Sequence, residues 1–370
     1  MNGRIRVGFI ADGLVPSMSN CFSRRTIRPL FAGWPSGSSG FKTRFSWVSD
    51  RVNREKTGLW YELFRPRRRY HAVVFLKSMN AASINLARHL SKKDCRRVFD
   101  LNIDYLTPAT GTFYYDGMAP TAAQRDEALA MVNTSDAVIA DSRWLEKVAR
   151  RYAARVCWVP DSIPDEFIQN GSNWRPSDSE PLPLLWCGEA VKLFDLLSIE
   201  PVLRSMKKRL KLRIITNSLD ALKRIYEPWR SRLRRMLQDI DCEILPFKGL
   251  KQLMEVYDRG GVFVSPRFLN NSYNMGHTEW KITLAMARGR VALCSAQPSY
   301  QDVADRAGNA GIRICPDVET WQTRLEEVFC GNLDWELEQS AASTVVRNYY
   351  TASVVALAHR TFMHEVLAAA

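Results

Sequence analysis

Residues 261–303, GVFVSPRFLNNSYNMGHTEWKITLAMARGRVALCSAQPSYQDV, bring polar and cationic side chains together directly after a short apolar run. Val262, Phe263 and Val264 read as a buried strand, and Pro266, with no N–H to give a ladder, ends it. Arg267, Asn270, Asn271, Ser272, Asn274 and His277 then make a polar loop. Ile282, Leu284, Ala285 and Ala287 form the apolar face of a helix ending at Gly289, with Thr278 as its expected N-cap. Free backbone N–H groups and the positive end of the helix dipole then stand beside Lys281, a combination that suits a diphosphate. An ordinary strand and helix joined by a hydrated loop has the same pattern, and spacing alone leaves both readings open.

Further candidates lie at other strand ends. Lys192 follows Gly188 in GEAVK and offers a second cation for a phosphate, or equally the exposed start of a helix. Asn217, after the run 212–216, is placed to meet a base or ribose, or to shape a turn. In VFDLNIDY, Asp100 and Asp104 sit at the carboxyl side of a buried strand, where a base for a hydroxyl group belongs; each is also a natural cap or turn former. Lys77 occupies the same rim after the run 72–76 and suits an anionic acceptor.

Composition limits the classes. A chain of 370 residues with 46% apolar content is globular and longer than one core usually supports, so two domains are expected. No run approaches the roughly 20 apolar residues of a membrane span, and MNGRIRVGFIADGLVPS lacks a signal-peptide core, so the expected location is cytoplasmic. Eight cysteines are scattered without a C-x-x-C pair, mostly in apolar runs, and read as reduced core thiols. The five histidines stand at no ligand spacing from them, so zinc is not expected. Asp239-x-Asp241 precedes the strand CEILPF instead of following one, and no metal or cofactor is expected there.

The net charge of +13 is localised. Residues 1–100 hold 20 Lys and Arg against 6 Asp and Glu, whereas the remainder holds 32 against 33. The dense points are Arg24-Arg25, Arg65 with Arg67 to Arg69, and Lys92-Lys93 with Arg96-Arg97. Such asymmetry points to a surface meeting anionic lipid, an acidic glycan or nucleic acid, with a solvated face as the plain alternative. Nucleic acid is disfavoured, because aromatic and basic residues are not interleaved and no binding module is recognisable.

Strand-like runs at 5–10, 72–76, 97–101, 137–140 and 156–159 alternate with helical patterns near 80–91, 121–133 and 143–153. After the Pro-, Ser- and Asn-rich stretch 160–183, a second series follows. Its strands are expected at 184–187, 212–216, 242–245, 261–265, 291–294 and 311–314, and its helices near 194–208, 220–237, 249–257 and 319–330. The fold class is therefore α/β: two Rossmann-like, doubly wound domains facing a cleft, at 1–160 and 184–348, joined by a linker at 161–183.

Taken in order, DAVIADSRWLEKVARRYAARVCWVPDSIP, LLWCGEAVKLFDLL and SPRFLNNSYNMGHTEWKITLAMARGRVAL resemble the end of the first domain, the first donor-domain strand and the sugar-nucleotide loop of GT-B glycosyltransferases, most closely the retaining group called family 4. NYYTASVVALAHRTFMHEVL resembles the last helix of that fold, which implies that 349–370 packs back on the first domain. The resemblance implies sugar transfer from a nucleotide-sugar donor to a cell-envelope glycan or lipid-linked acceptor, with retention and without a metal. The basic first hundred residues add the expectation of peripheral attachment to the anionic inner face of the plasma membrane. Gly188, Lys192, Asn217, Arg267, Asn271, His277, Glu279 and Lys281 become the expected donor site, Asp104 and Asp100 the catalytic candidates, and Lys77 an acceptor contact. WPSGSSGFKTRF stands where the family has a glycine-rich loop, which makes Lys42 and Arg44 further acceptor candidates. Two glutamates usual in the family are replaced by Gly276 and Leu284, leaving Glu279 as the substitute. The replacement supports the rival reading of a binding module that has lost catalysis.

Overall fold

The computed structural model describes residues 5–11, 59–169, 174–177 and 179–369, and the elements named below are numbered within them. Six parallel strands form the first sheet: β1 (Ile5–Ala11), β2 (Leu59–Leu63), β3 (Ala72–Leu76), β4 (Arg96–Leu101), β5 (Ala137–Ala140) and β6 (Val156–Trp158), in the order β2-β1-β3-β4-β5-β6. Runs such as AVVFL in β3 are buried at every position, as a parallel strand covered on both faces requires. The crossovers are α1 (Ala81–Ser91), α2 (Ala122–Thr134) and α3 (Arg143–Ala149), capped by Asn80, by a Thr121/Gln124 capping box and by Ser142.

The second sheet repeats the design with β7 (Leu182–Gly188), β8 (Leu210–Thr216), β9 (Cys242–Pro246), β10 (Val262–Ser265), β11 (Ala292–Ser295) and β12 (Ile312–Cys315), in the order β12-β11-β10-β7-β8-β9. Its helices are α4 (Glu200–Ser205), α5 (Trp229–Asp239), α6 (Leu250–Asp258), α7 (Ser272–Met275), α8 (Trp280–Met286), α9 (Pro298–Arg306), α10 (Val318–Phe329) and α11 (Trp335–Tyr349). The expected α/β class of two doubly wound parallel sheets is the class observed.

Several boundaries differ for local reasons. The helix expected at 194–208 is a 3-10 segment, Ala190–Ile199, followed by α4, with Pro201 at the start of the new helix. The helix expected at 220–237 is likewise split, into a 3-10 segment Leu219–Arg224 and α5, which starts after Pro228. Glu279, not Thr278, occupies the N-cap of α8, and its carbonyl receives the N–H groups of Ile282 and Thr283. Helices α7, α9 and α11 were not foreseen in the sequence pattern.

The chain crosses between the domains twice near one point. Ile163 N–H donates to Tyr350 C=O at 2.7 Å and Ala352 N–H to Ile163 C=O at 2.9 Å, so the outgoing and returning segments run side by side. Helix α12 (Ala352–Ala368) then buries Val355, Phe362, Met363 and Val366 in the first-domain core with Val7, Phe9 and Tyr61. No helix of the described residues is long and apolar enough to cross a membrane.

A third connection comes from within the first domain. After β4, residues 107–118 leave their own sheet and dock on the second domain, where Gly111 bridges Asn271 and Tyr115 bridges Ile225. Tyr114 lies stacked between Phe194 and Phe268, 4.7 Å from each ring, and edge-on to Trp229. Tyr114, Tyr115 and Met118 thereby belong to the second-domain core. Gly111 allows the contact: its φ is +95°, and a Cβ there would lie 1.9 Å from the Asn270 oxygen.

Candidate functional site

The carboxyl ends of β7, β8 and β10 meet the starts of the 3-10 segment 190–199 and of α8, and this is where the candidate cations gather. Gly188 ends β7 with no side chain, leaving room for the Lys281 ammonium: a Cβ on Gly188 would lie 2.6 Å from Lys281 Nζ. Trp186 supplies a ring face 5.3 Å from the same atom. Lys192 Nζ lies 5.5 Å above the ring of Tyr273. Both lysines are partly buried, and among the described residues neither ammonium has a carboxylate within ion-pair range. Burial first, then Arg267 and Lys192, hold the Lys281 ammonium well below the ordinary lysine range. Like charges held together in a half-dry recess favour a polyanion.

Asn217 serves this recess indirectly. Its Oδ1 accepts from Ala190 N–H at 2.7 Å, fixing the turn that carries Lys192 away from Gly188. Arg267 is 6% exposed and already neutralised, since its Nη1 donates to Asp195 Oδ2 at 3.0 Å. Asp195 in turn accepts from Phe268 N–H and Asn274 Nδ2, so Arg267 braces the loop and adds only its field to the recess. Asn271 caps α7 by accepting from Asn274 N–H at 2.8 Å. The His277 ring packs edge-on against Tyr273 at 4.4 Å, and its carbonyl accepts from Gln297 and Ser299.

Glu279 lies apart from the lysines. It is 2% exposed and looks toward Asp141 of the first domain, Asp161 of the linker, Arg306 and Tyr350. Burial, reinforced by Asp141 and Asp161, pushes its carboxyl up to about 8. Leu284 is sealed in the core, and a Cβ on Gly276 would lie 3.2 Å from Asp104 Cβ. The first-domain segment therefore occupies the room a longer side chain at 276 would need.

Asp104 reaches the donor loop in this way, but its oxygens are engaged. Oδ1 accepts from Leu106 N–H and Thr107 N–H, each at 3.1 Å, and Oδ2 from Thr107 Oγ1 at 2.7 Å, a turn that launches segment 107–118. Asp100 has no exposed surface and is paired within β4 between β3 and β5. Lys77, at the carboxyl end of β3, has a left-handed backbone with φ +50°, and its side chain makes no hydrogen bond or ion pair among the described residues. That conformation is costly for lysine. Lys42 and Arg44 lie outside the described residues.

The sequence pattern did not single out Tyr273, Tyr115 or Asp195. Asp195 is 72 residues from the arginine it neutralises, and nothing local marks the pair. Among the described residues no group of three His, Cys, Asp or Glu side chains is arranged to hold a metal ion.

No protein-family model matches the chain, and a search of curated proteins finds no match. Solved structures do resemble it. It is similar to Anabaena HepE in complex with UDP, with a TM-score of 0.67 and 10% identity, covering 99% of this chain and 100% of that one. A glycosyltransferase from Rickettsia africae gives a TM-score of 0.64 and 8% identity, covering 99% of each chain. Sucrose-phosphate synthase from Thermosynechococcus elongatus gives 0.59 and 13%, covering 81% of this chain and 75% of that one. At these identities the likeness is one of fold, and the fold is the GT-B arrangement of two facing doubly wound domains.

Proposed function

We propose that the protein is a glycosyltransferase that takes a sugar from a nucleoside-diphosphate donor held in the second domain. The observation that carries this reading is the pair of ammonium groups, Lys281 and Lys192, collected at the end of β7 without a partner carboxylate among the described residues. Departure of a nucleoside diphosphate leaves negative charge on the phosphates while the anomeric carbon becomes cationic. Fixed cations lower that barrier where the charge develops. Structures of the same fold carry donor-type ligands: HepE was solved with UDP-glucose, and a trehalose-6-phosphate protein from E. coli with UDP-2-fluoro glucose. Retention of configuration and independence of metal are part of the proposal. The acceptor is placed on the first domain, beside Lys77, as a cell-envelope glycan or a lipid-linked sugar. The basic first hundred residues bring the enzyme to the anionic inner face of a membrane.

Titration calorimetry with a panel of nucleoside diphosphates tests the donor reading. Binding is expected for at least one of them, weakened about tenfold or more in Lys281→Ala, the loss of a charge-assisted contact. Absence of binding by every member would remove the reading. Gly276 and Leu284 favour one rival, a binding module without catalysis. It requires nucleotide binding with no sugar transfer or donor hydrolysis across a panel of acceptors.

A further inference from the structure

Tyr273 is where the docked first-domain segment meets the cation recess. Its ring lies under Lys192 Nζ, takes the edge of His277 and, on another side, meets Tyr115 edge-on at 6.2 Å. Tyr115 belongs to segment 107–118. It is 4% exposed, packed against Phe194 at 5.7 Å and covered by the Arg224 guanidinium at 5.7 Å. Its ring is therefore fixed from all sides. Burial first, and then the Tyr273 hydroxyl beside it, raise its phenol above the ordinary range. A buried tyrosine hydroxyl needs a polar neighbour, and here that neighbour is the hydroxyl of Tyr273, whose ring lies under Lys192. The backbone ties keep the segment in place: Thr112 N–H to Asn270 C=O at 3.1 Å and Ser272 N–H to Thr110 C=O at 3.0 Å hold the residues just before Tyr273.

We propose that segment 107–118 is part of the donor site, with Tyr115 acting as a positioning residue that fixes Tyr273 and, through it, Lys192. The inference rests on the donor reading above and adds that the first domain contributes to phosphate affinity without touching the phosphate. Such a residue changes binding only through Lys192, so the effects of the two must be coupled.

The test is titration calorimetry with inorganic pyrophosphate on the full chain. Tyr115→Phe removes the hydroxyl and keeps the packed ring. It is expected to weaken pyrophosphate about 3- to 10-fold, the range of one hydrogen-bonding group, with a melting temperature within about 2 °C of the parent. Lys192→Ala also weakens it, and Tyr115→Phe adds little on the Lys192→Ala background. Unchanged affinity in Tyr115→Phe, or a loss that adds in full to that of Lys192→Ala, overturns the proposal while leaving the donor reading in place. If the parent protein binds neither pyrophosphate nor any nucleoside diphosphate, the donor reading and this inference fall together; binding of a nucleoside diphosphate without pyrophosphate overturns this inference and leaves the donor reading in place.

Discussion

At the scale of single residues, Gly188 is where packing and the cation recess meet. A Cβ added there would lie 2.6 Å from Lys281 Nζ and 2.8 Å from a ring carbon of Trp186, which is buried in the second-domain core. The ammonium can move aside but the packed ring cannot, so Gly188→Ala is expected to lower the melting temperature by several degrees, overpacking costing about 1–3 kcal/mol, and to lose about tenfold in nucleotide affinity. A variant that melts with the parent, or binds as well as it does, contradicts this geometry. Lys281 makes a second expectation at the same place. Its ammonium is held down by burial and by Arg267 and Lys192, and a bound diphosphate reverses that balance. Binding should then take up protons above the depressed pKa, and affinity should fall as pH rises. Calorimetry at a series of pH values below the ordinary lysine pKa of about 10.4, in buffers of different ionisation heat, measures the uptake directly. Gly188, Lys192 and Lys281 could be proposed from spacing because each stands at a strand end or helix start. Arg267 and Glu279 could not be assigned that way, since what decides them is burial beside residues distant in sequence: Asp195 for one, Asp141 and Asp161 for the other.

Among the elements, segment 107–118 has the largest consequences. Its sequence, with Tyr114-Tyr115 amid Pro and Gly, is indistinguishable from a surface loop. Only the second-domain rings Phe194, Phe268 and Trp229 give it a place. The strands other than β2 were legible, because parallel strands covered on both faces need continuous apolar runs and the chain contains few others; β2 (LWYEL), at the edge of its sheet and interrupted by Glu62, was not foreseen. Tyr114→Ala opens a cavity in the second-domain core and is expected to cost about 3 kcal/mol or more, read by urea denaturation. Gly111→Ala should act on docking instead, since the added methyl meets the Asn270 carbonyl, which cannot yield as a side chain can. The expected result is faster proteolytic cutting between residues 105 and 121, with the second-domain transition otherwise retained. An unchanged digestion rate would mean that the segment docks without Gly111's left-handed conformation.

Across the whole molecule, the domains are joined by that segment, by the linker through Ile163 and by the return through Tyr350, and Glu279 lies where the last two meet. Its carboxyl faces Asp141 from the first domain and Asp161 from the linker, with Arg306 and the Tyr350 hydroxyl as the opposing groups. Arg306 is partly occupied, since its Nη1 donates to Tyr350 Oη at 2.7 Å. The sign of the pH effect follows from the direction of the shift. The folded carboxyl ionises near 8, well above its value of about 4.5 in the open chain, so the fold prefers the neutral acid. That contribution is complete below about 4.5 and is lost as pH rises toward and through 8, when three carboxylates would share one dry junction. Glu279→Gln keeps the shape and abolishes the titration. Relative to the parent, the variant should therefore gain stability steadily from about pH 5 to about pH 9, by on the order of a few kcal/mol at the upper end. Urea melts at those limits are the measurement, and parallel curves for the two proteins would show that the junction does not hold a neutral acid. Because the junction joins both domains, the same rise in pH should loosen their contact before either sheet melts, and small-angle scattering of the parent at pH 9 should report a larger radius of gyration than that of Glu279→Gln.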